Sequence, residues 1–358
     1  MSVTAASLLS EIVEEAVKIN AADILLVQST VPTLKADGKL VRLDKFGILA
    51  DEHVTALVKA IVPESKLKDL ATDRQIDLAY TQGKARFRVN VFYQRGHLSV
   101  VMRYVRPNIR TIDELGLPGI VKDLIGNDSG LILMVGPTGS GKSTSLAAMI
   151  DHINTNDDKH IITIEDPVEY LYENKQSIIE QRELGTDATS FPAALRSALR
   201  EAPDVILLGE MRDLDSISTA ITVAETGHLV LSTIHANTAW GTIDRIIDIF
   251  PDGGKEQVRV QLADILIAVL NQRLVPRADG DGSLAIIETM IANSAVKNAI
   301  RTGNSAQLPN IIQTSSQEGM FLMDDLLLKA AKRDEITNEV ALEYAHDRNE
   351  VRKGLGGM

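Results

Sequence analysis

Apolar residues recur at helical spacing near the start of the chain. Leu8, Leu9, Ile12, Val13 and Val17 fall on one stripe and predict a helix over residues 6–19. Residues 51–62 carry a second helical pattern. Between them, 34–43 reads as strand, turn and strand, with an Asp37-Gly38 hairpin signal. Strict alternation marks 84–92: Phe87, Val89 and Val91 face one way, Arg86, Arg88 and Asn90 the other. The stretch 93–97 turns the chain into a second strand at 98–105. These elements predict a small α+β domain over 1–105. Prolines bracket 106–118, which reads as a linker. Buried-strand patterns at 131–135, 160–164, 204–208 and 228–233 then alternate with helical ones, as a parallel α/β core requires. From about residue 255 the pattern turns largely helical, and 352–358 reads as a frayed tail. The expected second domain is 119–358.

Composition narrows the class. The 358 residues suffice for two domains, each with its own core. Hydrophobic residues make up 44% and aromatics only 4%, so Leu, Ile, Val and Ala must build a globular core. A formal net charge of −12 argues against a broad nucleic-acid or anionic-membrane surface, while leaving room for a local basic pocket. The chain has no cysteine, which excludes disulfides and Cys-ligated zinc and fits a reducing compartment. The N-terminus lacks the basic start of a signal peptide, and no stretch reads as a membrane span. A soluble, cytoplasmic protein is expected.

The candidate chemistry centres on residues 136–144. Gly136, Pro137, Thr138, Gly139, Ser140, Gly141, Lys142, Ser143 and Thr144 match the phosphate-binding P-loop pattern G-x-x-x-x-G-K-[ST]. The strand pattern 131–135 precedes them, and Leu146, Met149, Ile150 and Ile153 follow at helical spacing. In that setting glycine N–H groups can surround phosphate oxygens at a helix N-terminus. Lys142 is expected to reach the β/γ-phosphates, and the Ser143 hydroxyl to ligate Mg²⁺.

Acidic residues follow two other strands. Val205–Leu208 runs into Gly209-Glu210, a Walker B pattern with Gly where Asp is usual. Glu210 either orients the attacking water or caps the next helix, near Arg212 and Asp213. Glu165, Asp166 and Glu169 follow the strand 160–164, at the edge where parallel sheets place ligands. They read as water-mediated magnesium contacts and water activation, or as a solvated acidic turn bent by Pro167. His228 and His235 bracket the strand between them. Each either meets Glu210 and the γ-phosphate or is an ordinary satisfied histidine. Arg86, Arg88, Arg95 and Arg103 of the first domain form a solvated basic face or supply charge to a nucleotide in cis or in trans. Arg196 and Arg200 share one face of a helix over 190–200.

Taken in order, the P-loop, Ile162–Tyr170, Ala194–Glu201, Asp204–Asp213 and the paired histidines resemble the secretion ATPase superfamily. Within it, the chain is similar to the type IV pilus retraction ATPases, the PilT family, over nearly its whole length. The resemblance implies an α/β chain: a small α+β, PAS-like N-terminal domain, then a RecA-like P-loop ATPase domain with a helical C-terminal extension. It implies ATP and Mg²⁺ as ligands and Glu210 as catalytic glutamate. Glu165 and Asp166 match that family's Asp box; His228 and His235 match its His box. Gly209 is usual there. The hairpin arginines match a region that reaches the nucleotide in trans.

Three features separate retraction from assembly and type II secretion ATPases. The latter usually carry a four-cysteine zinc module, and this chain has no cysteine; their extra N-terminal domain is not expected here. Ala295–Arg301 also resembles the retraction family's Ala-Ile-Arg-Asn-Leu-Ile-Arg motif, with Val296, Lys297 and Ala299 as departures. The implied protein is a homo-hexameric motor for pilin disassembly and twitching motility. It would act on an inner-membrane pilus platform protein, with indirect membrane contact and no nucleic acid. A paralogous retraction ATPase is a further possible partner. The alternatives are a pilus assembly or secretion ATPase, a low-turnover accessory paralogue and, on the same core, a nucleic-acid translocase.

Overall fold

The computed structural model describes residues 4–36, 38–83, 85–105 and 108–356. Asp37 of the hairpin signal, Lys84, the linker residues Arg106 and Pro107, and the last two residues lie outside the described residues. The chain divides into two compact units: Met1–Asn108 with Pro167–Leu171, and Ile109–Asp166 with Tyr172–Met358.

The first unit contains α1 (Ala5–Lys18), β1 (Asp23–Val27), β2 (Thr33–Ala36), β3 (Lys39–Arg42), α2 (Asp51–Ile61), α3 (Glu64–Asp73), β4 (Gln75–Gln82), β5 (Ala85–Gln94) and β6 (His97–Val105). Its strands form an antiparallel sheet in the order β3-β2-β1-β6-β5-β4. Thr4 caps α1 by accepting the Ser7 N–H at 3.2 Å. Leu9, Ile12, Val13 and Ala16 then bury one stripe of the helix. On β5 the alternation holds: Phe87, Val89 and Val91 are in the core. The β5–β6 turn needs only Arg95 and Gly96, with φ of 49° and 86°, so it is shorter than the expected 93–97. The sequence pattern missed α3 and β4. Each buries a single residue, Leu70 and Leu78, and so lacks a readable stripe.

The second unit contains α4 (Ile120–Ile125), β7 (Gly130–Val135), α5 (Lys142–Asn156), β8 (His160–Glu165), β9 (Ile178–Glu183), α6 (Phe191–Ala198), β10 (Val205–Leu208), α7 (Leu214–Glu225), β11 (Leu229–Ile234), α8 (Gly241–Asp248) and α9 (Lys255–Ile265). It continues through β12 (Leu266–Pro276), β13 (Ser283–Ile291), α10 (Ser294–Arg301), α11 (Leu308–Thr314), α12 (Met323–Lys332), α13 (Asn338–Tyr344) and α14 (Arg348–Gly354). The sheet order is β13-β12-β7-β11-β10-β8-β9, parallel except for β12–β13. Both faces are covered. On β7, Leu131, Leu133 and Val135 enter one apolar cluster, while Ile132 and Met134 enter the other.

Two expectations need correction here. The region after residue 255 does carry six helices, α9–α14, but a hairpin interrupts them: β12 and β13 span much of 266–291. Their apolar runs are continuous, and such runs do not distinguish a buried strand from a buried helix by periodicity. Nor does 352 begin a frayed tail. Helix α14 runs to Gly354 because Asp347 caps it and Val351 is fully buried.

The C-terminal motif lies on α10. Asn293 caps the helix, Val296, Ala299 and Ile300 face inward, and Lys297 and Arg301 reach Asp264 at the end of α9. Lys297 donates to the Asp264 carbonyl, a cation at a helix C-terminus.

Candidate functional site

Strands β7, β8, β10 and β11 are mutually parallel, so whatever follows each of them gathers at one sheet edge. The P-loop follows β7, Glu165 ends β8, Gly209-Glu210 follows β10, and His235 follows β11.

The P-loop is held tightly from β12. Gly136 has φ +139°, and a Cβ there would collide with the carbonyl of Gln272. Gly141 has φ +86°, and a Cβ would lie 2.8 Å from Gln272 Nε2. Gln272 in turn donates to the Ser140 carbonyl at 2.8 Å and accepts from Ser145 Oγ at 2.7 Å. The Lys142 ammonium donates to the carbonyls of Gly136 (2.9 Å) and Pro137 (3.0 Å). Ser140 Oγ is buried with no hydrogen-bond partner among the described residues. A glycine cradle, an inward lysine and an orphaned hydroxyl fit a bound polyphosphate. Ser143, at the start of α5, is exposed and available to a cation on that phosphate.

Glu210 is placed by its backbone neighbours. The Gly209 N–H donates to Ile164 at 2.8 Å, Thr233 Oγ1 donates to the Gly209 carbonyl at 2.7 Å, and the Met211 N–H donates to Thr233 at 3.0 Å. A Cβ on Gly209 would sit 3.3 Å from the Ile164 carbonyl oxygen and 3.4 Å from Glu165 Cα. The β8–β10 spacing therefore favours glycine where a generic Walker B strand carries Asp. The Glu210 carboxylate lies 3.2 Å from His235 Nε2 and 2.7 Å from the Arg212 guanidinium. The helix cap belongs to Asp213 instead. Its carboxylate accepts the Ser216 N–H at 2.8 Å, and hydrogen bonds from Ser216 hold its pKa below the usual value.

Glu165 is buried, and its Oε1 accepts from Thr163 Oγ1 at 2.7 Å and from Gln181 Nε2 at 3.4 Å. Asp166 beside it is exposed. Glu169 falls in the segment that belongs to the first unit, where it lies 3.9 Å from Arg88.

His228 is not with these residues. It precedes β11 and so stands at the opposite sheet edge, about 20 Å from His235 at ~3.3 Å per strand residue. Its Nδ1 meets the Val223 carbonyl at 3.1 Å and Thr226 Oγ1 at 3.2 Å. The expectation that both histidines serve one site is corrected by strand length alone.

In the first unit, Arg103 donates to Asp23 at 3.0 Å, and Arg88 is its neighbour across β5–β6. Arg86 donates to the Val168 carbonyl at 3.3 Å. Arg95 is exposed at the tip of the β5–β6 hairpin. In the second unit, Arg196 and Arg200 lie at the end of α6, where Arg200 donates to the Arg196 carbonyl.

Sequence reasoning missed a cavity of about 430 Å³ beside the P-loop, lined by Arg110, Glu114, Gly141, Thr144, Gln272 and Leu274 among others. It depends on β12, whose residues carry no motif. It also missed Glu288 on β13, which is fully buried. Burial pushes the Glu288 pKa from 4.5 up to about 7, against hydrogen bonds from Asn271 and the Ala239 N–H that lower it. Folding therefore favours the protonated carboxyl. Stability from this group is full below about pH 4.5 and is lost as pH rises through 7. His346 titrates with the opposite sign, since burial first and Arg273 second lower its pKa. Glu288→Gln removes only the first dependence. Its melting temperature should rise relative to the native chain by several degrees between pH 5 and 8. An equal offset at both pH values would contradict the burial argument.

The matching family model, described as type II/IV secretion system protein, spans residues 6–342. Two relatives from Pseudomonas aeruginosa are each 40% identical to this chain. The type IV pilus ATPase PilU aligns over 331 residues, covering 92% of this chain and 86% of that one. The type IV pilus retractation ATPase PilT aligns over 338 residues, covering 94% and 98%. Among solved structures, the pilus retraction motor PilT with bound ADP superposes with a TM-score of 0.89 at 43% identity, covering 96% of this chain and 98% of that one. Sequence and fold agree over both units, and the chain belongs to the type II/IV secretion system protein family.

Proposed function

We propose that this chain is an ATP-hydrolysing motor that drives type IV pilus retraction, by pilin disassembly, and with it twitching motility. The observation that carries this reading is the meeting of the P-loop, Glu165, Glu210 and His235 at one parallel sheet edge. It does so in a chain 40% identical to a retraction ATPase along 94% of its length.

The P-loop backbone from Gly136 to Thr144 holds the β- and γ-phosphates, and Lys142 turns from the loop carbonyls onto them. The cavity beside Gly141 takes the nucleoside. Glu210 orients and deprotonates the attacking water, and His235 fixes the carboxylate in that posture. Glu165 and Asp166 polarise the same water from the next strand. A Mg²⁺ ion held by Ser143 would add positive charge at the phosphate oxygens.

The working assembly is a homo-hexamer of chains with an N-terminal domain (1–105), a linker (106–118) and an ATPase domain (119–358). An arginine of the β5–β6 hairpin, from among Arg88, Arg95 and Arg103, completes a neighbour's site and stabilises charge on the transferred phosphoryl group. Nucleotide-driven domain closure is passed to an inner-membrane platform protein. Contact with the membrane runs through that partner, on the cytoplasmic side. No helix among the described residues is long and apolar enough to cross a membrane.

Deleting the gene should leave cells hyperpiliated and unable to twitch. Loss of pili would instead mark an assembly motor, and unimpaired twitching would contradict the proposal. A second reading, a low-turnover accessory paralogue, is favoured by the equal 40% identity to PilU. Turnover of the purified hexamer separates the two: about 1 s⁻¹ or more, within the range of ordinary enzymes, supports the motor.

A further inference from the structure

The loop after His235 and the P-loop are both tied to one pair of residues on β12. Asn271 Nδ2 donates to the Asn237 carbonyl at 2.9 Å and to Glu288 Oε2 at 2.7 Å. The same Glu288 oxygen accepts the Ala239 N–H at 3.1 Å. Asn271 is paired with Glu288 across β12–β13 and with Val135, the residue before the P-loop, across β12–β7. The next residue, Gln272, holds the P-loop through Ser140 and Ser145. Successive residues of a strand point to opposite faces. One dipeptide therefore grips the loop after His235 from one face and the phosphate loop from the other.

This arrangement is costly. Asn271 and Glu288 are fully buried, and Glu288 Oε1 and Asn271 Oδ1 have no hydrogen-bond partner among the described residues. Each such atom has lost its water without gaining a partner, which is destabilising. What the pair does hold is the backbone of the loop after His235, at Asn237 and Ala239.

We propose that Asn271 and Gln272, backed by Glu288, are positioning residues that fix the His235 loop and the P-loop to a common strand. They hold His235 against Glu210 while Lys142 faces the phosphates. The proposal rests on the reading of Glu210 and His235 given above. Asn271 and Glu288 act through His235; Gln272 acts through the P-loop.

A double-mutant cycle on the full-length protein tests this. Asn271→Ala and Glu288→Ala should each lower kcat about 10- to 100-fold with little change in KM for ATP. Glu288→Gln keeps an acceptor for both donors and should retain most of kcat. In a His235→Ala background, Asn271→Ala should cost less than about twofold more, because its route of action is already gone. Gln272→Leu should raise KM for ATP, with the same factor in both backgrounds. An equal kcat loss from Asn271→Ala with and without His235 would overturn the proposal, as would a Glu288→Gln variant as impaired as Glu288→Ala. Glu210→Gln, assayed alongside, separates the two levels. Near-normal turnover there refutes the site itself, whereas a dead Glu210→Gln with additive Asn271 and His235 effects refutes only the positioning.

Discussion

Replacing Glu210 with Gln should yield protein that binds ATP and keeps it. Hydrolysis should fall by about 10²–10⁴-fold, the usual contribution of a positioned general base. The amide keeps the shape and one acceptor oxygen, so the backbone pins at Gly209 and Met211 survive. What is lost is the carboxylate that lies 3.2 Å from His235 and 2.7 Å from Arg212. Because Asp213 already caps α7, the substitution should leave helix stability unchanged. A melting temperature within a degree or two of the native value, with ATP retained after gel filtration, is the expected pair of results. Near-normal turnover would remove Glu210 from its role.

Lys142→Ala should abolish productive nucleotide use. The ammonium is nearly buried and touches the loop carbonyls of Gly136 and Pro137, so its stem is already aimed into the cradle that would hold the phosphates. Losing it removes a full charge from a site where N–H dipoles alone would face a polyphosphate. The expected outcome is a loss of ATP affinity together with no measurable turnover. Unchanged affinity and rate would refute the assignment of the P-loop. The two variants differ in kind: Glu210→Gln arrests a loaded site, whereas Lys142→Ala prevents loading.

Much of this site was legible because each part has a local signature. The P-loop is a fixed spacing of Gly, Lys and Ser, and β7, β8, β10 and β11 are short apolar runs ending in polar residues. Parallel pairing brings their ends together, so sequence order predicts proximity for Glu165, Glu210 and His235. The same rule separates His228, since a residue before a strand and one after it cannot share an edge. Gln272, Asn271 and Glu288 left no such trace. They sit inside runs that read as apolar, and their meaning comes from β12 lying beside β7, a pairing between residues far apart in the chain. The β12–β13 hairpin was missed for a related reason: a strand buried on both faces has no alternation to read. Asn271 and Gln272 show the consequence. A polar dipeptide within a buried strand signals a bound partner, and only the sheet order names it.

The central claim is that hydrolysis at Glu210 powers pilus retraction. It is tested most directly by imaging pilus retraction in cells whose only copy of the gene carries Glu210→Gln, beside cells with the native copy. The native copy should restore frequent retraction, while the variant should leave pili extended and the cells immobile. Retraction at the native frequency in the Glu210→Gln cells would contradict the account.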